Sequence, residues 1–259
     1  MFTVLGGILS DKIVVDLTVE GFLPVSDEQL QTNLDNAKGL GLKRLEPGPS
    51  VPLAIVGGGA TINDHVETLK NWSGHVWAIN GAWKWCDERG IDATFCSVDP
   101  HSIVAKWAAG AKKAILATQC PVEAFEVLKD ADVTVYEAGT EVKGVGGSTL
   151  GVSIYAGIVT RHSDITLFGC ESCYVPKKTH AYQSETRTRE MIVNCGGDFY
   201  LTSPDFYTQA RQIAEVIRSL DGYIKEESGG ILRAFVKSPE HWIAWLSDEC
   251  ARTMRQIKK

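Results

Sequence analysis

The sequence has little of what marks a membrane, secreted or nucleic-acid-binding protein. No apolar run among its 259 residues approaches the roughly 20 residues of a membrane span. Residues 1–11 lack the basic segment and the long apolar stretch of a signal peptide. The net charge is −6, from 26 basic and 32 acidic side chains, so no bulk attraction to nucleic acid or to an anionic membrane is expected. These absences predict a cytoplasmic protein that binds neither directly.

A disulfide framework, an internal repeat and a low-complexity segment are also missing. The seven cysteines are an odd number scattered along a long chain, and most are expected to be small core residues. Cys170 and Cys173 have the two-residue spacing of zinc and redox sites. No second pair and no matched pair of histidines follows them, so ordinary burial is favoured over metal or redox chemistry.

Glycine, in contrast, is abundant. It makes up 25 of the 259 residues, which is above the usual share of roughly 7%. From residue 51 onward, short apolar runs alternate with amphipathic helices, which is typical of a parallel sheet covered on both faces. The pattern predicts strands over 53–56, 75–79, 93–98, 113–117, 133–136 and 165–168. The predicted fold class is therefore α/β, a Rossmann-like open, mostly parallel sheet with helices on both faces.

Changes in pattern along the chain predict three segments. Residues 1–50 form an N-terminal extension with one helix after Ser26, residues 51–220 form the nucleotide-binding domain, and residues 221–259 form a C-terminal helical segment. Ser203 begins an amphipathic helix within the domain, and Ser238 begins another in the last segment. These two helices are expected to pack on the sheet or at a homo-oligomer interface.

The first candidate site is a glycine turn, Gly57-Gly58-Gly59, which runs from a strand into a helix that begins near Thr61. Glycines allow close backbone approach to a ligand, and N–H groups at a helix start favour a phosphate. The spacing is not the Gly-x-Gly-x-x-Gly of dinucleotide folds. Phosphate or nucleotide contact is predicted, and a tight turn that binds nothing is the alternative.

Two further candidates follow the next two strands, where ligands sit in an open parallel sheet. They are Asn80-Gly81 and Asp99, the latter before Pro100. Asp99 is a candidate magnesium ligand or ribose contact, because Mg²⁺ beside nucleotide phosphates usually takes one or two carboxylates. Capping of the following helix is the alternative, and the two roles are compatible.

A second glycine-rich loop precedes another helix and supplies a second predicted anion site through Gly146, Gly147, Ser148 and Thr149. A flexible loop with Ser148 as cap is the alternative. After the sixth predicted strand comes Glu171, followed by the segment Lys177–Ala181 with its His180. This histidine is a candidate general acid or base or a phosphate ligand.

In this order the motifs resemble the archaeal-type 6-hydroxymethylpterin diphosphokinase family (MptE-like), which also includes bacterial motility-associated factors and has short phage-encoded members. The resemblance spans about residues 51–220. It rests on an ordered set of motifs: Ala54–Thr61, Trp77–Ala82, Ser97–Pro100, Gly147–Thr149, Leu167–Glu171 and Lys178–Ala181. The family pattern usually has aspartate where Glu171 stands, and Pro-Ser where Ala60-Thr61 stands.

The resemblance implies a transferase that moves a diphosphate from ATP to a hydroxyl acceptor with Mg²⁺. Asp99 and Glu171 would then be at the metal and His180 near the small-molecule acceptor. The same apparatus also suits a CMP-sugar glycosyltransferase, as in sialyltransferases or motility factors, with the metal optional. A third alternative is a non-catalytic nucleotide-binding or phage structural protein, which would lie in the host cytoplasm.

Overall fold

The structure is a computed structural model that describes residues 25–138, 148–174, 181, 190–238 and 240–245. Between residues 3 and 18 it describes the backbone of four short strands. Within these parts of the chain, no helix is both long and apolar enough to cross a membrane.

The elements run in the following order. The strands are β1 (Thr3–Leu5), β2 (Ile8–Leu9), β3 (Lys12–Ile13), β4 (Asp16–Thr18), β5 (Lys43–Arg44), β6 (Leu53–Val56), β7 (His75–Ile79), β8 (Thr94–Ser97), β9 (Lys113–Ala117), β10 (Asp132–Tyr136), β11 (Ile165–Phe168), β12 (Met191–Cys195), β13 (Asp198–Thr202), β14 (Ile224–Glu226) and β15 (His241–Trp245). The helices are α1 (Asp27–Gly39), α2 (Val66–Lys70), α3 (Ala82–Asp87), α4 (Ile103–Ala108), α5 (Val122–Val127), α6 (Thr149–Val159), α7 (Pro204–Ser219) and α8 (Gly230–Lys237), and a 3₁₀ turn covers Ala60–His65.

An eight-stranded sheet in the order β14-β11-β6-β7-β8-β9-β10-β5 dominates the fold, and each neighbouring pair in it is parallel. All six predicted strands are present, which confirms the predicted Rossmann-like α/β class. The chain builds from β6 towards β10 in one direction and places β11 and β14 on the other side of β6. The strand order therefore reverses at β6, which is where ligands bind in folds of this type.

The centre of the sheet is apolar because helices cover both of its faces. Each residue of β6 and β11 is buried, and Ile55 lies in register between Trp77 of β7 and Leu167 of β11. Helix α6 lies close over β6. A Cβ atom on Gly157 of this helix would come within 2.7 Å of Leu53 Cδ2, so a larger residue at this position would require Leu53 or the helix to shift.

The sheet takes its two edge strands from outside residues 51–220, with β5 preceding this range and β14 following it. Helix α1 begins where predicted, with the Ser26 side chain accepting a hydrogen bond from the Gln29 amide. Its Asn33 is fully buried and donates through Nδ2 to the carbonyls of Pro100, at 3.3 Å, and Gln119, at 3.0 Å. These bonds fasten α1 to the segments that follow β8 and β9.

The predicted helix from Ser238 is wrong over residues 241–245, which form β15. This strand pairs antiparallel with β12, in a second sheet of order β13-β12-β15, and buried Ile243 lies opposite Val193. The periodicity of a short apolar run is compatible with either a strand or a helix. Here the pairing with β12 makes the segment a strand. Helix α8 was not predicted, and residues 246–259 lie outside the described part of the chain.

Two histidines meet at the amino-terminal edge of the sheet, opposite the edge where ligands are expected. His162 is 6% exposed, and its Nε2 lies 2.9 Å from Nδ1 of His75. Its own Nδ1 lies 2.9 Å from Thr160 Oγ1 and 3.2 Å from the carbonyl of Gly157. Since a carbonyl only accepts, this Nδ1 carries a hydrogen, and Nε2 is the acceptor for His75 in the neutral ring. Burial lowers the pKa of His162.

This burial predicts acid sensitivity of the fold. At a pH below the ordinary histidine pKa of about 6.5, the side chain of residue 162 binds a proton in the unfolded chain. In the folded protein, buried His162 stays neutral until the pH reaches its lowered pKa. The free energy of unfolding should therefore fall as the pH drops below about 6.5 and continue to fall until the lowered folded pKa is reached. Urea unfolding of wild type and His162→Gln from pH 7.5 to 5 measures this. The variant should lose most of the pH dependence, whereas the exposed-site control His101→Gln should keep it, and an unchanged slope in His162→Gln would contradict the assignment.

Candidate functional site

An open cleft of about 190 Å³ lies at the carboxyl-terminal ends of β6, β7 and β11, where the strand order reverses. Residues from five parts of the chain line it: Gly57, Gly58, Gly59, Ile79, Asn80, Thr149, Leu150, Gly169, Cys170, Glu171, Ser172, Cys173, Phe206 and Gln209. The glycine turn, Asn80, Thr149 and Glu171, predicted separately, are therefore brought together. Gly81 is buried at the start of α3 and does not line the cleft.

The glycine turn faces the cleft and is also hydrogen-bonded to the end of β11. The amide of Gly57 donates to the carbonyl of Phe168, and the amide of Gly59 donates to the carbonyl of Gly169, each at 2.8 Å. The amide of Gly58 has no hydrogen-bond partner in the described part of the chain. Of the three amides predicted to face a phosphate, Gly58 is thus the one left to bind a ligand.

A carboxylate of the protein itself occupies the helix start after the glycine turn. Glu171 is 1% exposed, and its two carboxylate oxygens accept hydrogen bonds from the Thr61 amide at 3.0 Å and from Thr61 Oγ1 at 2.9 Å. The N–H of Thr61 and its hydroxyl are therefore engaged with a side-chain anion at the place where the sequence predicts a ligand phosphate. This pair ties the turn after β6 to the segment after β11.

Asn80 and Thr149 form the β7 side of the cleft. Asn80 has a positive φ of 49°, and its Nδ2 approaches Thr149 Oγ1 at 3.4 Å. Its Oδ1 is buried and has no hydrogen-bond partner in the described structure. A buried acceptor without a donor is costly, and residues held in the left-handed region cluster at ligand sites. Asn80 therefore lines the cleft and holds a buried hydrogen-bond acceptor that has no donor in the described structure.

The second predicted anion site is described only in part, because Gly146 and Gly147 lie outside the described residues. Ser148 is the N-cap of α6, with its Oγ accepting from the amide of Gly151 at 3.1 Å. Thr149 follows it and lines the cleft. The capping role considered for Ser148 is thus present, and Thr149 is the described residue of this loop that reaches the ligand side.

Asp99 is half buried after β8 and does not line the cleft. Its Oδ1 accepts a hydrogen bond from the amide of His101 at 2.9 Å, and its own amide donates to Ser97 Oγ at 3.2 Å. The structure does not bring Asp99 together with the glycine turn. These bonds order the segment that leads into α4, but Asp99 does not cap this helix, whose N-cap residue is Ser102.

The structure does not place the two predicted magnesium ligands, Asp99 and Glu171, together at the cleft. The carboxylate of Glu171 is bonded to Thr61, and that of Asp99 is bonded to a backbone amide outside the cleft. Within the described ranges, no group of three or more His, Cys, Asp or Glu side chains is arranged to hold a metal ion. Cys170 and Cys173 are buried in the cleft wall, and burial raises the pKa of the Cys170 thiol, which keeps it protonated.

His180 lies outside the described residues, as do Lys177 and Lys178. The next residue in the chain, Ala181, donates from its amide to the carbonyl of Gly58 at 2.9 Å. The residue that follows His180 is therefore attached to the glycine turn. The acid–base or phosphate-binding role of His180 stays a prediction.

Sequence reasoning missed one wall of the cleft. Helix α7 was predicted from its amphipathic pattern and confirmed, but Phe206 and Gln209 were not identified as site residues. Ser172 was missed as well, although its positive φ of 51° marks it in the structure. The sequence carries no local signal for Phe206 and Gln209, because only the packing of α7 beside the end of β11 places them at the cleft.

No family model matches the sequence, and no curated protein matches it. Among solved structures, a MAf glycosyltransferase from Magnetospirillum magneticum AMB-1 shares the fold, with a TM-score of 0.63 and 14% sequence identity. The likeness covers 82% of this chain and 38% of that protein, so the chain spans well under half the length of its structural neighbour. At this identity the likeness is one of fold.

Proposed function

We propose that the protein is a glycosyltransferase that binds a CMP-activated sugar in the cleft at β6. The lining of the cleft carries this proposal. Among its described residues the one charged side chain is Glu171, whose carboxylate is hydrogen-bonded to Thr61. The groups left for a ligand are neutral, namely the Gly58 amide and the side chains of Asn80 and Thr149. They suit the single phosphodiester of a CMP-sugar better than the triphosphate of ATP, which usually needs Mg²⁺ or cationic side chains.

A resemblance in sequence motifs and a likeness in fold also support a glycosyltransferase. The motifs resemble a family that includes motility-associated factors, and the fold is shared with a protein described as a MAf glycosyltransferase. A member of the pterin diphosphokinase branch would share the motifs too. The described cleft offers that branch no free carboxylate for a metal, which favours sugar transfer.

The proposed reaction places the phosphate at Gly58 and the nucleoside beside Asn80 and Thr149. The acceptor hydroxyl oxygen attacks the anomeric carbon of the sugar, the bond from that carbon to the phosphate oxygen breaks, and CMP leaves with the bonding electrons. The acceptor proton passes to a general base, for which we propose His180, the residue before Ala181. Hydrogen bonds from Gly58 and Thr149 stabilise the charge that develops on the departing phosphate.

Calorimetric titration with CMP, CTP, AMP and ATP, each with and without Mg²⁺, tests this proposal. We expect CMP to bind with an affinity that magnesium changes by less than about twofold, and AMP to bind roughly tenfold more weakly, as for loss of specific base contacts. Preference for ATP together with dependence on Mg²⁺ would instead support diphosphate transfer. Absence of binding by every nucleotide would overturn both and leave only the alternative of a structural protein.

A further inference from the structure

The α7 wall, defined as Phe206 and Gln209, closes the cleft on the side away from Asn80. Both residues lie on α7 and line the cleft beside the segment that follows β11. In the sheet, β11 and β7 flank β6 on opposite sides. The Gly58 amide at the end of β6 therefore lies between the α7 wall and the Asn80 side. A ligand with its phosphate at Gly58 can extend in both directions.

The side chain of Gln209 is held in place by its neighbours. Its Nε2 donates to Ser172 Oγ at 3.1 Å, and the carbonyl of Ser172 accepts from Thr202 Oγ1 at 2.7 Å. Ser172 itself has a positive φ of 51°, so the segment is fixed in an uncommon conformation. A glutamine amide has two N–H donors and one acceptor. After the bond to Ser172, one N–H and the carbonyl oxygen of Gln209 remain for a ligand.

Phe206 adds an apolar surface next to this amide. It lies one helical turn before Gln209, so the two side chains share a face of α7. Its ring packs against Tyr174, with 5.8 Å between ring centroids and a tilt of 57°. Ligand sites combine apolar or aromatic walls with a few placed polar groups. A fixed amide beside an aromatic ring matches a sugar, which offers hydroxyls to the amide and an apolar C–H face to the ring.

We propose that the α7 wall binds the glycosyl group of the nucleotide-activated sugar and sets which sugar is transferred. This inference rests on the proposed function, because it needs a donor whose phosphate lies at Gly58. The nucleoside then occupies the Asn80 side of the glycine turn, and the sugar occupies the side of Phe206 and Gln209.

Calorimetric titration of CMP and of a CMP-activated nonulosonic sugar separates the two halves of the donor. Wild type should bind the CMP-sugar more tightly than it binds CMP. In Gln209→Ala we expect the affinity for CMP to stay within about twofold and that for the CMP-sugar to fall about fivefold, the factor for one lost hydrogen bond. Phe206→Leu keeps apolar volume but removes the flat ring, and it should also weaken the CMP-sugar selectively. Gln212→Ala, the same substitution on the same helix but away from the cleft lining, is the matched control and should change neither affinity.

The outcomes distinguish this inference from the proposed function. If wild type binds neither CMP nor the CMP-sugar, the proposed function fails and the inference fails with it. If wild type binds both and the α7-wall variants weaken both equally, the wall holds the nucleotide and the inference alone is overturned. It is also overturned if folded Gln209→Ala and Phe206→Leu bind the CMP-sugar as wild type does. Thermal unfolding of each variant confirms that the compared proteins are folded.

Discussion

Gly59→Ala is expected to lower the free energy of unfolding by about 3 kcal/mol, the upper range for overpacking a well-packed site. A Cβ atom at Gly59 would lie 2.0 Å from Glu171 Oε2 and 2.1 Å from its Cδ. The carboxylate cannot move away cheaply, because it is 1% exposed and bonded to the amide and hydroxyl of Thr61. The substitution should therefore break the Glu171–Thr61 bonds or shift the glycine turn, and CMP binding should be lost with either.

A double-mutant cycle tests whether Glu171 is the cause. Glu171→Ala alone leaves the Thr61 amide without its acceptor and is expected to cost about 2 kcal/mol, as for a lost helix cap or an unpaired buried donor. In Gly59→Ala/Glu171→Ala the clash is gone, so the combined loss should be about 3 kcal/mol smaller than the sum of the single losses. Additive losses in urea unfolding would mean that another contact limits the space at Gly59.

Gly48→Ala is the matched control for this cycle. A Cβ atom at Gly48 would have no heavy atom within 4 Å, and its backbone does not have the positive φ that favours glycine. Its free energy of unfolding should stay within about 0.5 kcal/mol of wild type, as for substitutions that touch no special feature.

The parallel sheet could be predicted from sequence because its strands are buried on both faces and read as continuous apolar runs. Leu53–Val56 and Ile165–Phe168 are both of this kind, and both were predicted within the bounds found. The same reasoning failed at His241–Trp245, where the choice between helix and strand depends on the partner strand β12. The local sequence pattern predicts a helix or strand correctly where burial alone determines which of the two forms. It fails where pairing with a distant strand determines the choice.

The candidate site divides in the same way. Residues at the carboxyl ends of strands, such as Asn80 and the glycine turn, could be placed from strand predictions and the geometry of parallel sheets. The partner of Thr61 could not, since Glu171 is 110 residues away in the chain. Phe206 and Gln209 reach the cleft only through the packing of α7. Which amides are free and which side chains face each other are tertiary facts that no local spacing contains.

The glutamate at position 171 departs from the aspartate usual in the resembled family, and the structure gives it a local role. Its two oxygens meet two donors of one residue, Thr61, across the end of the cleft. A threonine in place of the usual serine keeps the hydroxyl that completes this pair. The departures at positions 61 and 171 thus meet in one contact.

Asn80→Gly is expected to weaken CMP binding about 30-fold, equivalent to about 2 kcal/mol, while leaving the fold intact. The buried Oδ1 of Asn80 has no partner in the described structure, and we expect a donor of the nucleotide to meet it in the proposed complex. Removing this acceptor also removes an unpaired buried group from the ligand-free protein. Glycine accepts the positive φ of 49° without strain. The free energy of unfolding should therefore stay within about 1 kcal/mol of wild type.

Two comparisons isolate the side chain from the backbone. Asn80→Ala should lose the same affinity but also about 1 kcal/mol of stability, since alanine is strained in the left-handed region. Arg161→Gly places glycine at another residue with positive φ, 63°, near the opposite edge of the sheet, and it should bind CMP as wild type does. Wild-type affinity in Asn80→Gly would mean that the unpaired oxygen does not meet the ligand. A loss confined to Asn80→Ala would show that backbone conformation at the end of β7, and not the amide, supports binding.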